Sequence, residues 1–260
     1  MRGGRSSGGE PRHTPGKRVY CVGDIHGRLD LLLDLHAQIR ADSEAFGGSL
    51  QVVYLGDYID RGPDSRQVID CLLAAPLTGF EAIYLLGNHE QAMLDFLDYP
   101  LEAAGWLTFG GLATLLSYGV RPRRLPTPED LPDLAASLRE RLPPGHLEFL
   151  LGCRLYHHEA DYYFVHAGIR PGVALDAQDP DDQMWIRDEF TESGAAHGAV
   201  VVHGHTISPE PELLPNRIGI DTGACFTGLL TCLVLEGESR RLIQARGETG
   251  TTLDYDPLLA

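Results

Sequence analysis

Six short apolar runs punctuate the chain, and each gives way to a glycine-containing cluster that carries a carboxylate, an amide or an imidazole. RVYCV stops at GDIHG, QVVYL at GDYIDRG, AIYLL at GNHE, YYFV at HAG and AVVV at HGHT, while RIGI ends at DTGA. Runs of four or five residues rich in Val, Ile and Tyr predict buried strands rather than helices, which puts the polar clusters at strand ends. Helical spacing fills the early gaps. Leu29, Leu32, Leu33 and His36 share one face, as do Val68, Ile69, Leu72 and Leu73 after the turn-and-cap signal Pro63-Asp64. Strands alternating with helices predict a βαβ start. Near the end, LLTCLVLEG and RRLIQAR are parted only by a short polar turn and predict a β-hairpin. From about 101 to 151 the spacing is helical, with Thr127-Pro128-Glu129-Asp130 as a cap carrying proline at the first helical position. The pattern as a whole predicts an α/β sandwich of two sheets, with a helical subdomain inserted near the strand ends.

Composition narrows the class. A chain of 260 residues, 43% hydrophobic and 22% charged, suffices for one domain with a large core. We expect a flexible lead-in over 1–17, the folded domain over 18–246 and a tail over 247–260. No window has the apolar length of a membrane span, and the opening MRGGRSSGGEPRHTPGKR lacks the apolar stretch of a secretory signal. A formal net charge of -16 disfavours nucleic acid and anionic membranes as general partners, because both are polyanions. Any phosphate must then be held by local basic groups. The five cysteines, Cys21, Cys71, Cys153, Cys225 and Cys232, are odd in number, scattered and never spaced as C-x-x-C. Neither a disulfide framework nor a thiolate zinc site is expected, and a reducing cytoplasm fits best.

The strand-end clusters carry the chemistry. Asp24 and His26 flank Ile25, and residues two apart in extended backbone point the same way, so both can reach one ion. A lone Asp-x-His is ordinarily a pair of loop polar groups. Here the pattern recurs: Asp57 follows a second strand, Asn88 and His89 a third, His166 a fourth and His205 a fifth, all at the edge where α/β proteins gather ligands. This inventory suits two ions about 3.5–4 Å apart, with Asp57 as the bridge, Asp24 and His26 completing one ion, and Asn88, His166 and His205 the other. Mixed carboxylate, amide and imidazole donors favour Mn, Fe, Zn or Co over calcium or copper(I). Water between two such cations becomes hydroxide near neutral pH and is the expected nucleophile. Arg61, four positions past Asp57, is placed to hold phosphate. Arg187 in MWIRDEF reads first as an exposed loop charge. His89 can protonate a leaving alkoxide if it stays off the metals, with Asp60 orienting it. His36, His157, His158 and His197 have no motif around them and read as ordinary surface or core polar groups. His203 and His205 share a strand face, and spacing leaves both open as ligands.

GDIHG, GDYIDRG and GNHE, in this order and at these separations, together with FVHAG, MWIRD and HGHT, resemble the phosphoprotein-phosphatase branch of the calcineurin-like metallophosphoesterase superfamily, in particular its compact bacterial-type serine/threonine phosphatases. The resemblance runs from about Arg18 to Arg246. It implies a central β-sandwich flanked by helices. It gives Asp24, His26 and Asp57 to one metal and Asp57, Asn88, His166 and His205 to the other, thereby choosing His205 over His203. It also implies that Arg61 and Arg187 clamp phosphate and that His89, paired with Asp60, is the general acid. HAG in place of the family's more familiar HGG is a small departure that keeps the ligand. WLTFGGLATLLSYG also resembles a helical stretch of these phosphatases, although Trp106, Leu107, Phe109, Leu112, Leu115 and Leu116 are equally explained by packing. Two divalent cofactor ions are expected, manganese first, with iron, zinc or cobalt as alternatives. The expected reaction is direct in-line hydrolysis of a phosphomonoester, phosphoserine or phosphothreonine in a protein or peptide, or a small phosphorylated molecule. A hydrolase of dinucleoside polyphosphates such as diadenosine tetraphosphate is the first rival. A noncatalytic phosphate-binding scaffold is a distant second.

Overall fold

The structure, a computed structural model, describes residues 16–249 apart from 76 and 123. The expected lead-in and tail lie mostly outside the described residues. Strands and helices alternate at first: β1 (Lys17–Val22), α1 (Leu29–Ser43), β2 (Ser49–Tyr54), α2 (Ser65–Leu73), β3 (Phe80–Tyr84) and α3 (Asn88–Asp98). A helical stretch follows, with a 3₁₀ turn over Ala104–Phe109, α4 (Gly111–Ser117), α5 (Leu131–Arg141) and α6 (Pro144–Leu151). Then come β4 (Tyr156–Glu159), β5 (Tyr162–Val165), α7 (Pro180–Trp185), α8 (Asp188–Thr191), β6 (Val200–His203), β7 (Glu212–Leu213) and β8 (Arg217–Gly219). The short α9 (Ala224–Thr227) precedes the closing hairpin of β9 (Leu229–Glu236) and β10 (Ser239–Arg246).

Among the described residues these strands form two five-stranded sheets, ordered β10-β9-β1-β2-β3 and β4-β5-β6-β8-β7. Their inner faces pack Val19, Cys21, Val53 and Ile83 against Phe164, Val202 and Ile218. Because side chains alternate across a strand, the neighbours Tyr20, Val22, Val52 and Tyr54 point the other way, into the core shared with α1, α2 and α3. Tyr163, Val165 and Val201 likewise pack under Phe190 on the far side of the second sheet. Burial on both faces explains why these strands read as continuous apolar runs.

Register places the site. β1, β2 and β3 are parallel, with Val22 opposite Tyr54 and Tyr54 opposite Tyr84, so the three loops that follow leave the sheet at one level. In the second sheet β5 and β6 are parallel, Phe164 opposite Val202, and the Gly204 N–H donates to the His166 carbonyl at 2.8 Å. Both sheets therefore deliver their polar clusters to the same end of the sandwich.

Three details differ from the pattern. α1 buries Leu31, Leu32, Leu35, His36 and Ile39 and leaves Leu33 49% exposed, because its buried face follows the i, i+4 row rather than the one chosen from spacing. Leu73, at the last position of α2, is likewise exposed. YHHE forms the edge strand β4, antiparallel to β5, which its polar composition concealed. The Thr127 cap is present: the Asp130 carboxylate accepts from the Thr127 N–H at 2.7 Å and from its hydroxyl at 2.8 Å. All five cysteines are free.

Candidate metal centre

Two sets of ligand-type atoms meet at the strand ends, His26 with Asp57 and His89, and Asp57 with His166 and His205, each set lying within 4.8 Å and fully buried. Asp57 belongs to both. One carboxylate oxygen lies 3.4 Å from His26 Nε2 and 3.9 Å from His89 Nε2, and the other 3.4 Å from His166 Nε2. The loops that do this are strained. His26, Asp57, Asp60, Arg61 and His205 all have positive φ, between 47° and 73°, a region that costs a non-glycine residue of order 1 kcal/mol or more. Gly56 (φ +101°) is required for another reason: a Cβ there would lie 2.6 Å from Gly87 N and 3.1 Å from His166 Nδ1, so its absence lets three loops converge.

Glu90 holds the Asp57 loop. Its buried carboxylate accepts from the backbone N–H groups of Asp57 and Gly87 through one oxygen, at 2.8 and 3.0 Å, and from Tyr58 and Ile59 through the other, at 2.8 and 3.3 Å. α3 starts beside it, and the His89 N–H donates to Asp57 at 3.2 Å. His89 Nδ1 pairs with Asp60 at 2.7 Å, and the same Asp60 oxygen accepts from the indole N–H of Trp106 at 2.8 Å. Thr114 donates to the other Asp60 oxygen at 2.6 Å. The helical stretch therefore reaches under the site, and Trp106 is more than packing.

The remaining residues singled out in the sequence divide. Asn88 Oδ1 lies 2.9 Å from His166 Nε2, inside the second set. Arg61 contacts His26 Nε2 at 2.5 Å, with its backbone braced by the Gly110 carbonyl at 3.2 Å. Arg187 is exposed, as a loop charge would be, and donates to the His205 carbonyl at 3.4 Å, which puts it at the edge of this pocket. Asp24 stands outside both tight sets: it accepts from the His205 N–H at 3.0 Å and neighbours Asp221. His203 faces away, with Nδ1 3.0 Å from the Gly204 carbonyl, Nε2 3.4 Å from Arg217 and its ring edge-on to Phe190. Of the unassigned histidines, His36 is buried against the Tyr54 hydroxyl at 2.8 Å, His157 and His158 lie on β4, and His197 packs beside Phe190.

The electrostatics suit cations. Burial lowers His26, His166 and His205, the last to about 2, which keeps these imidazoles neutral, the form in which an imidazole can bind a metal. Burial alone would raise Asp57, but His166, His89 and His26 around it hold it far below the usual carboxylate range. Burial also opposes protonation of His89, yet Asp57 and Asp60 together raise it. Asp24 and Asp221 are pushed up, Asp221 to about 6, by burial first; charge from neighbouring carboxylates adds to it. Burial and then the Asp57 charge lift Glu90 to about 8. His26 Nδ1 is committed to the Ile59 carbonyl at 2.9 Å and His166 Nδ1 to the Leu55 carbonyl at 2.8 Å, leaving each Nε2 facing inward. Asp24 Oδ1 and His205 Nε2 are buried without a hydrogen-bond partner among the described residues, which is how a donor set made for cations looks. These residues fit a pair of divalent ions.

Glu90, Trp106, Thr114 and Asp221 complete the site, and spacing did not assign them roles. Glu90 was legible only as the last letter of GNHE. Trp106 and Thr114 were hidden by a helical pattern that packing explains equally well, and Asp221 by its distance in sequence from the other carboxylates.

The chain belongs to the calcineurin-like phosphoesterase family, whose profile matches residues 17–219. It is thus a metal-dependent phosphoesterase of a family built around a pair of divalent ions, with a two-sheet α/β fold. Similar proteins include the asymmetrical bis(5'-nucleosyl)-tetraphosphatase PrpE of Oceanobacillus iheyensis, 27% identical over 235 residues that cover 82% of this chain and 87% of that protein. PrpE of Bacillus cereus (strain ATCC 10987 / NRS 248) is 27% identical over 233 residues, with coverage of 82% and 88%. Among solved structures, a candidate diadenosine tetraphosphatase superposes with a TM-score of 0.56 at 24% identity, over 91% of this chain and 97% of that one. A serine/threonine phosphatase from Saccharomyces cerevisiae superposes with a TM-score of 0.52 at 14% identity, over 92% and 82%. These structural likenesses concern the fold. Among the described residues, no helix is long and apolar enough to cross a membrane.

Proposed function

We propose that this protein hydrolyses dinucleoside tetraphosphates, with diadenosine tetraphosphate as the type substrate, into unequal nucleotide products. The observation that carries this reading is the likeness to asymmetrical bis(5'-nucleosyl)-tetraphosphatases along most of both chains. It sets the small nucleotide ahead of the phosphoserine or phosphothreonine expected from the motifs. Asp24, His26 and Asp57 would hold one ion, and Asp57, Asn88, His166 and His205 the other, with manganese our choice of metal and iron, zinc or cobalt as alternatives. When bound, such a pair supplies an activated water near neutral pH and positive charge for the phosphate oxygens.

The chain's own groups do the rest. Arg61 and Arg187 stand on either side of Asp57, one against His26 and the other against His205, and orient the phosphate with paired donors. His89 holds a proton: its Nδ1–H donates to Asp60, and the proton on Nε2 is the one given to the leaving phosphate oxygen. Asp60, fixed by Trp106 and Thr114, keeps that ring aligned. Burial of His89, Asp60 and Asp57 excludes bulk water from the His89–Asp60 pair and strengthens it.

The test is side-by-side turnover of diadenosine tetraphosphate and a phosphoserine or phosphothreonine peptide by manganese-supplemented protein. Specificity constants at least about a hundredfold higher for the dinucleotide are expected, since differential binding of two extra nucleoside groups is worth a few kcal/mol. A preference for the phosphopeptide would restore the protein-phosphatase reading.

A further inference from the structure

Two large aromatic side chains stand exposed on the rim of the buried metal centre, one on each side of Asp57. Trp185 is 42% exposed, and its ring lies 6.3 Å from that of His205 in an edge-to-face arrangement. Phe226 is 43% exposed, with the Arg61 guanidinium 5.6 Å from its ring centroid. A continuous line of contacts joins them through the site: Trp185 to His205, His205 to His166 at 5.1 Å, His166 to Asp57, Asp57 to His26, His26 to Arg61, and Arg61 to Phe226.

Neither ring is exposed because its backbone is loose. Trp185 ends α7, whose preceding residues Gln183 and Met184 are buried and whose Gln183 carbonyl accepts from the Ala167 N–H at 2.8 Å, next to His166. Phe226 sits in α9 between Gly223 and Gly228, both left-handed, and the buried Arg28 fastens that turn by donating to the Ala224 carbonyl at 2.9 Å. A fastened backbone that presents a large apolar ring to solvent, with an arginine or an imidazole against one part of it, leaves the exposed part of each ring available for a planar ligand.

We propose that Trp185 and Phe226 are base-stacking platforms, each taking one nucleobase of a nucleotide whose phosphates lie over Asp57 between Arg61 and Arg187. Aromatic faces bind bases through their π-systems with little regard to which base is present. The site then recognises a ligand with planar groups at both ends of an anionic chain and is tolerant of purine identity. The proposal deepens the dinucleoside tetraphosphate reading, and it is tested without relying on turnover of that substrate.

The experiment is a calorimetric titration of the manganese-loaded full chain with AMP and with ribose 5-phosphate, which share sugar and phosphate and differ only in the base. Wild type is expected to bind AMP about tenfold or more tightly than ribose 5-phosphate. Trp185→Ala and Phe226→Ala should each remove part of that ratio, the double variant should bring it close to one, and Trp185→Phe should retain most of it. Circular dichroism and metal content of each variant identify any that fail to fold. A wild-type ratio near one, or a ratio unchanged in the double variant, would overturn the proposal. A wild-type base preference that collapses in the double variant, combined with turnover of phosphopeptides alone, would sink the dinucleotide reading and leave the platforms standing. Turnover of diadenosine tetraphosphate with no base preference would do the reverse.

Discussion

On the first-sheet side of the metal centre, His26, Asp57 and His89 are held by one another's motifs, all following strands of the same sheet: Ile59 fixes His26, Glu90 fixes the Asp57 loop, and Asp60 fixes His89. On the second-sheet side, His166 is fixed by the Leu55 carbonyl across the sandwich, and His205 Nε2 has no hydrogen-bond partner among the described residues. The first side is a hydrogen-bonded cradle whose shape exists before any ion arrives. The second depends on the two sheets packing correctly and on the cations themselves. The contrast teaches that metal affinity and protein stability are coupled on one side of the site and largely separate on the other.

Asp57→Asn breaks both sides at once. It replaces the shared carboxylate by an amide, and the expected result is loss of at least one ion and a fall in turnover well beyond the roughly 10–100-fold typical of indirect contacts. Metal analysis and steady-state kinetics check this; wild-type metal content and turnover would show that Asp57 is no bridge. Glu90→Gln separates the sides. It sets an amide NH₂ against backbone N–H donors where a carboxylate oxygen accepted from two of them, either Asp57 and Gly87 or Tyr58 and Ile59. A stability loss of about 1–3 kcal/mol is expected, along with a roughly 10–100-fold loss of metal affinity or activity. His205→Ala should lower metal content without a comparable loss of metal-free stability. Chemical denaturation of both variants after chelation decides it: equal losses would erase the distinction between the two sides.

The last effect lies beneath the cradle and touches neither ions nor turnover. His36 is buried against Tyr54 of β2, the strand that leads to Asp57, and burial lowers its pKa to about 4 from an ordinary value of 6.5. The unfolded chain therefore takes up this proton at a higher pH than the folded one. The contribution is fully present above about pH 6.5 and is lost as pH falls towards about 4, at no more than about 1.4 kcal/mol per pH unit. Denaturation of wild type and His36→Gln between those limits checks it, since the variant should lose less stability on acidification across that window. Identical slopes would mean that His36 carries none of the pH dependence.

Much of this was written in local pattern. Apolar runs mark the central strands β1, β2, β5 and β6, because parallel strands buried on two faces must be apolar throughout. YHHE was missed because an edge strand can be polar. The spacing of α1 predicts the helix but not its buried face, since it admits more than one stripe and the buried one leaves Leu33 out. At the site, Asp57, His89, His166 and Arg61 lay within recognisable clusters, whereas Trp106 and Thr114 come to Asp60 from residues 46 and 54 positions away. No periodicity encodes an approach of that kind.

The sequence by itself determined that this is an α/β protein with carboxylate, amide and imidazole donors at its strand ends, and so the kind of ion it can hold. Residue type and spacing left open which donors meet, and tertiary structure decided it. It turned His205 inward and His203 outward towards Arg217, set Asp24 apart from the two tight ligand sets, and brought Arg187 to the pocket. The reason is physical: residue type fixes what a side chain can bind, whereas backbone torsion and sheet packing fix what lies within its reach. The left-handed turn at His205 and the packing of one sheet on the other cannot be read from residue type.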